Sequence, residues 1–398
     1  MTRNCKKCLL LPGVVMLFVI TALVMSGCSG FSGASILGAK SSGPMVVTDT
    51  SNNRVLIFDQ PFTTDQKASI VLGQTSFTAN SDGITASTLW EPASTSVDAS
   101  GNLWVTDFDN NRLLEFKPPF STGMSASVVI GEPDFTSDNG CSTITASLFC
   151  GPGGSTFDSS GHLWVTDYEY SRVLRFSPPF SNGMAADLVL GQTDFTSDEC
   201  NGGTSGLCEP WIGIRFDASG NLWVADYGNC RVVEYVPPFK NGMAASVAIG
   251  QSNLTDSTCG TSATTTDGPW SLGFDANGDL LVADGDNSRV LLFKPPFTTG
   301  MAASVVLGQP DFTSWAANTT ASGFSYPSDV SSDSAGNLYV SDYENSRVLV
   351  FSPPFKTGMS ASMVIGQANF TSGEYNQTDS DTPAANTLSY PYGVLILP

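Results

Sequence analysis

The sequence predicts an all-β fold, a six-bladed β-propeller made of four-stranded antiparallel blades. Three observations lead there. An arginine recurs at Arg54, Arg112, Arg172, Arg231, Arg289 and Arg347, with spacings of 58, 60, 59, 58 and 58 residues. A period that regular marks a repeat architecture. Each repeat holds four short β-type runs separated by turn chemistry, and four antiparallel strands repeated radially make a propeller blade. The chain ends also complement one another. The first copy begins late, at Met45, and lacks its innermost strand. The stretch Leu388-Ser389-Tyr390-Pro391-Tyr392-Gly393-Val394-Leu395 matches that missing element as it stands in Phe324-Ser325-Tyr326-Pro327. The C-terminal strand is therefore expected to pair into the N-terminal blade and close the ring, which leaves no open sheet edge.

Within the second copy the expected strands are Ala93–Asp98, Leu103–Asp107, Arg112–Phe116 and Ala126–Ile130. Asp98-Ala99-Ser100-Gly101 supplies an Asx start and a glycine at the fourth place, as a type I turn favours. Phe108-Asp109-Asn110-Asn111 is a polar hairpin loop. Pro118-Pro119-Phe120 ends the third strand, because tandem prolines cannot donate ladder bonds. The fourth strand leads into a Gly-Glu or Gly-Gln pair (Gly131-Glu132, Gly191-Gln192) and a long polar loop.

The N-terminus has a different composition. Arg3, Lys6 and Lys7 precede an apolar run from Leu9 to Met25, and Met25-Ser26-Gly27-Cys28 follows. A charged start, an apolar stretch and small residues at the cut describe a secretory signal. Small residues directly before a cysteine resemble a bacterial lipobox, with Met25 in place of the usual leucine. Cys28 would then be lipidated and would tether the mature protein to a membrane of the cell envelope. An ordinary signal peptide or an uncleaved anchor helix is the alternative. The expected organisation is a signal over residues 1–28, a flexible linker over 29–43 and the propeller over 44–398. The full chain has 17 basic and 37 acidic residues. Losing the three basic residues of the signal leaves 14 against 37, a net charge of −23. Such a surface repels a polyanion, so nucleic acid is excluded as a partner.

Six cysteines follow the signal, an even number that points to disulfides in an exported chain. Cys141 and Cys150 share one long loop, and Cys200 and Cys208 share the corresponding loop one repeat later. Cys230 stands in a second hairpin, and Cys259 in the loop after the same blade's fourth strand, on the same face. The expected pairs are 141–150, 200–208 and 230–259. None has a metal-type C-x-x-C spacing.

The phrase P-x-G-V, then D-x-x-G-N-L-W-V-T-D, then N-x-R-V-L-x-F resembles the NHL repeat over about residues 44–398. The resemblance implies the propeller but no single role, since NHL propellers include RNA-binding modules, peptide-amidation lyases and sensor domains. The lyases use histidine-bound zinc, and His162, the one histidine here, cannot build that site. It takes the place of a turn asparagine. The RNA-binding members use basic faces, which this chain lacks.

The repeated pairs Asp49–Arg54, Asp107–Arg112, Asp167–Arg172, Asp226–Arg231, Asp284–Arg289 and Asp342–Arg347 lie across the second hairpin. Six copies argue for a structural, charge-assisted pin rather than catalysis. Positions where the blades differ are more informative. Around the proline that opens each inner strand lie Trp90, Glu91, Glu209, Trp211, Trp270, Tyr326, Asp329, Tyr390 and Tyr392. Aromatic rings with a few carboxylates at a concave mouth suit a protein, peptide or carbohydrate ligand, and packing between blades is the other use of such rings. The expected function is a binding or scaffold module without cofactor or catalytic residues. The alternative is a calcium-dependent hydrolase or lactonase, with Glu91, Glu209 and Asp329 as oxygen ligands in the channel.

Overall fold

The computed structural model describes residues 43–398. The expected signal with Cys28, and the linker up to residue 42, lie outside the described residues. Six four-stranded antiparallel sheets form the ring, and in five of them the strands run in chain order from the centre outward. The inner strands are Pro92–Val97, Pro152–Phe157, Pro210–Phe216, Pro269–Phe274 and Pro327–Ser332. Each begins at the proline and slips register just after it.

The second blade differs from its expected strands only at the edges. The inner strand stops before Asp98, because that carboxylate is taken by the turn. It accepts the N–H groups of Ser100 and Asn102, the Asn102 amide, and Trp104 Nε1. The fourth strand shortens to Val128–Ile130 because the Ala126 N–H bonds to Ala86 O in the preceding loop, outside the ladder.

Every second strand ends at the repeated aspartate and every third strand begins at the repeated arginine, as in Leu103–Asp107 and Arg112–Phe116. The residue just before the arginine (Asn53, Asn111, Ser171, Cys230, Ser288, Ser346) is left-handed, with φ between 48° and 52°. Asparagine tolerates that region better than most residues, which accounts for two of the six.

The arginine does more than pin the hairpin. In each blade its Nε lies 2.6–2.7 Å from the aspartate, and both side chains are buried. Its Nη1 donates to a carbonyl in the loop after the fourth strand, as Arg112 does to Phe135 O at 2.6 Å. Its Nη2 donates to two carbonyls of the loop that enters the blade, Thr85 O and Thr88 O for Arg112. The free aspartate oxygen accepts a backbone N–H just upstream of the inner strand, Trp90 N for Asp107 and Cys150 N for Asp167. Burial raises the carboxyls of Asp107, Asp167, Asp284 and Asp342 to about 6, against the pull of the guanidinium. In five blades an asparagine adds a bond to the same carboxylate. The third blade has Tyr170 there, its ring 5.1 Å from the Arg172 guanidinium.

Between blades, Trp104, Trp164 and Trp223 are fully buried. Each meets the phenylalanine of the next blade's Pro-Pro-Phe edge-on, with centroids 5.0, 4.8 and 5.0 Å apart. The Pro-Pro-Phe segment thus ends a strand and seals the blade junction. The disulfides join 141–150, 200–208 and 230–259, with Cα atoms 4.8, 4.3 and 5.2 Å apart.

Ring closure follows the expected route. Val394–Ile396 pairs with the first strand in the register Met45↔Ile396, Val46↔Leu395 and Val47↔Val394. Gly393 N–H donates to Thr48 Oγ1 at 2.6 Å, and Thr48 N–H to Gly393 O at 3.0 Å. Arg54 carries the closure outward, donating to Ala384 O and Thr387 O.

Two outcomes test this account. Deleting residues 388–398 removes Leu388, Val394 and Ile396 from the core, each contributing ~1.5–3 kcal/mol. The truncated protein is expected to melt several degrees below the parent by circular dichroism. Melting at the parental temperature would refute closure by this strand. Arg112→Met strips a buried carboxylate of its counter-charge and three carbonyls of a donor, and is expected to cost about 3–5 kcal/mol in denaturant unfolding. Arg112→Lys is expected to recover little of it, because an ammonium lacks the planar fork that reaches three segments.

Candidate functional site

The Asp–Arg pair fixes which face of the ring bears the variable residues. It holds the second hairpin and the loop entering the inner strand together, so both lie at one mouth of the central channel. At that mouth the residue before the strand-opening proline is left-handed in all six blades. The φ values are 48° at Glu91, 69° at Gly151, 51° at Glu209, 60° at Gly268, 52° at Tyr326 and 49° at Tyr390. A left-handed L-residue costs roughly 1–2 kcal/mol, and only two of these six are glycine. The preceding blade supports the strained position in four cases. Asn53 Oδ1 accepts Glu91 N–H and Asn111 Oδ1 accepts Gly151 N–H, both at 2.9 Å. Ser171 Oγ and Ser346 Oγ accept the N–H groups of Glu209 and Tyr390 at 3.2 and 3.3 Å. Backbone strain held in place by its surroundings concentrates at functional sites.

Tyr168, Trp211, Tyr227, Trp270 and Tyr392 line a cavity of about 230 Å³ at this mouth. Trp211 lies 4.6 Å from Tyr168, 5.7 Å from Tyr392 and 6.3 Å from Trp270 by ring centroids. A second layer backs the cup. Tyr343 stacks on Tyr392 at 4.9 Å and 8°, and Tyr390 touches Tyr343 at 5.2 Å. Tyr326 lies 6.3 Å from Trp270, and Phe108 5.0 Å from Trp211.

Carboxylates border the cup. Burial, together with the nearby Glu209 charge, raises the phenol pKa of Tyr168. Tyr227 is pushed up to about 12 by burial and by the charges of Asp286 and Glu209. Asp286 accepts Trp270 Nε1–H at 3.3 Å, and burial raises its own pKa. Tyr392 is raised by burial, by the neighbouring Tyr343 hydroxyl and by the nearby Glu91 and Asp109. Glu91 is raised by burial and by Asp109. The phenols stay protonated at neutral pH and serve as hydrogen-bond donors. The cup therefore offers aromatic surface, hydroxyls and a negative border.

The structure thus gathers five of the expected residues, Trp211, Trp270, Tyr326, Tyr390 and Tyr392, and sets Glu91 and Glu209 beside them. Trp90 is 39% exposed and outside the cup. Asp329 is buried in the ring wall, where it accepts Ser271 Oγ at 2.6 Å and Val394 N–H at 2.9 Å, with Arg215 at 3.7 Å. Glu91, Glu209 and Asp329 do not converge. Among the described residues only Cys230, Cys259 and Asp267 bring three potential metal-ligand atoms together, and those cysteines form a disulfide. His162 sits in a turn between strands, its Nδ1 2.8 Å from Asp158 Oδ2.

Sequence reasoning passed over Phe108, Tyr168, Tyr227 and Tyr343. All four are the first residue after the repeated aspartate, the place held by Thr50 and Gly285 in the other blades. An aromatic residue at one fixed position in four of six copies was the available signal.

Comparison with known proteins supports the architecture. The NHL repeat model matches residues 89–116 and 324–351, each running from the entry loop to the third strand of one blade. A protein of unknown function from Bacteroides caccae aligns at 10% identity over 90% of this chain and 99% of its own, with a TM-score of 0.54. A chain of a nidogen/laminin complex aligns at 15% identity over 89% and 98%, with a TM-score of 0.52. A gluconolactonase from Xanthomonas campestris aligns at 14% identity over 81% and 84%, with a TM-score of 0.43. At these identities the first two likenesses speak to fold alone, and the third is too distant to add to them.

Proposed function

We propose that this protein is a non-catalytic binding module, held at the cell envelope, that takes a protein, peptide or carbohydrate ligand in the aromatic cup. The cup carries the reading. Five rings from four blades converge on one cavity, over backbone positions held in strained conformations, where the blades otherwise repeat one another. Rings of this kind give large contact area at low entropic cost, and tyrosine and tryptophan dominate the binding energy of interfaces. The lining contains neither histidine nor thiol.

Peptide and glycan arrays probed with the parent protein and with Trp270→Ala test the site. A ligand of the parent is expected to bind the variant at least tenfold more weakly, as for a central aromatic anchor. Undiminished binding by a folded variant would remove the cup from the site. Turnover of esters or lactones by the purified parent, lost on chelating calcium, would overturn the non-catalytic reading.

Three disulfides suit an oxidising compartment outside the cytoplasm. Among the described residues no helix is long and apolar enough to cross a membrane. On this reading the tether is a lipid on Cys28. Cys28→Ser is expected to release the protein from the membrane fraction or to block processing of the leader. A variant that fractionates and migrates like the parent would end the lipid proposal.

A further inference from the structure

Building on the cup as the binding site, we infer that its occupant is an alkylammonium group, free or at the end of a peptide lysine, rather than a sugar ring. Shape is the first observation. The cup is a box, not a platform: Trp211 stands at 83° to Trp270 and at 90° to Tyr392, and Tyr227 at 84° to Trp270. A pyranose stacks on one flat ring, whereas a compact cation is held by several aromatic walls at once. At about 230 Å³ the cavity falls below the roughly 300–1,000 Å³ of pockets for drug-sized ligands, so it takes a head group and not an extended glycan.

Charge is the second observation. Trp270 Nε1 donates to Asp286 at 3.3 Å, and the charges of Glu209 and Asp286 act on the hydroxyls of Tyr168 and Tyr227. An anion accepting a ring's polar hydrogen pushes electron density into that ring and strengthens its attraction for a cation. Glu91 and Asp109 add negative charge beside Tyr392.

The third observation is that no cation already serves this charge. Among the described residues the Lys and Arg ion pairs involve other carboxylates, and Glu91, Asp109, Glu209 and Asp286 are in none of them. The six repeated arginines are spent on their aspartates. A negative, partly desolvated aromatic box without an internal counter-ion is complementary to an external ammonium. The net charge of −20 would draw such a ligand in.

Calorimetric titration with choline and with its neutral isostere, tert-butylethanol, separates charge from shape. N-acetyl-lysine amide run in parallel distinguishes a free ammonium from a peptide side chain. Choline or the lysine amide is expected to bind at least tenfold more tightly than the isostere. Asp286→Asn is expected to weaken the cation and leave the isostere unchanged, and Trp270→Leu to abolish the difference, with circular dichroism verifying that both variants fold. Equal binding of choline and isostere overturns the cation inference. So does failure of both ammonium probes to bind a protein that still holds an array ligand through Trp270. Either result leaves the cup a binding site, whereas an array ligand indifferent to Trp270→Ala removes the cup itself.

Discussion

One buried ion pair, repeated six times, organises the propeller. A guanidinium presents five N–H donors in a fixed fork, and in every blade one donor meets the hairpin aspartate while others meet carbonyls of two further segments. The aspartate's second oxygen holds a backbone N–H upstream of the inner strand. Entry loop, hairpin and exit loop are thereby locked to one buried charge pair. Removing one partner would leave the other charge without compensation in the interior. Closure of the ring uses the same device, because the carbonyls that Arg54 holds lie 330 and 333 residues away. The node that builds each blade also joins the two ends of the chain.

That constraint explains where variation is tolerated. The aspartate, the arginine and, in five blades, the hairpin asparagine serve the node, so they recur. The residue before the inner-strand proline, the residue after it and the first residue of the hairpin face the mouth and take no part in the node. There the blades diverge into Glu91, Glu209, Trp211, Trp270, Tyr326, Tyr390, Tyr392, Tyr168 and Tyr227. Since the node fixes the backbone on both sides, the position before the proline sustains left-handed residues that would otherwise relax. The same rigidity lets rings from different blades meet in a set geometry, as preorganised recognition requires.

The ring also departs from strict six-fold repetition on its long loops. In five blades a glutamine after the fourth strand donates to the carbonyl of the left-handed hairpin residue. The second blade has Glu132 there, buried and raised in pKa by desolvation, and it accepts from Asn139 instead. The loop of Asn139 carries the 141–150 disulfide. The cross-links thus fall where glycine, serine and threonine leave little apolar surface to hold a loop, and they limit the freedom of the unfolded chain.

Much of this architecture was legible in sequence, because it is written locally and repeatedly. The period of the arginine, the turn residues and the prolines each act on their own few neighbours, so blade number and strand order followed from them, ring closure from the match between the two chain ends, and the cysteine partners from the loops and face they share. The second and third strands of the second blade fell on the residues that alternation and turn chemistry mark. The pairing of aspartate with arginine was legible too, but the carbonyls that the arginine gathers were not, since nothing in a carbonyl's sequence position advertises its partner. Nor could sequence sort the candidate site. Trp90 and Trp211 both flank a strand-opening proline, one before the left-handed residue and one after the proline, and only the second reaches the cup. Asp329, two blades on from Trp211, is drawn into the wall by Ser271 and Val394. Which rings meet depends on the radial angle between blades and on the handedness of one residue in each entry loop. Those are set by closing the ring through side chains hundreds of residues apart, and only the tertiary structure decides them.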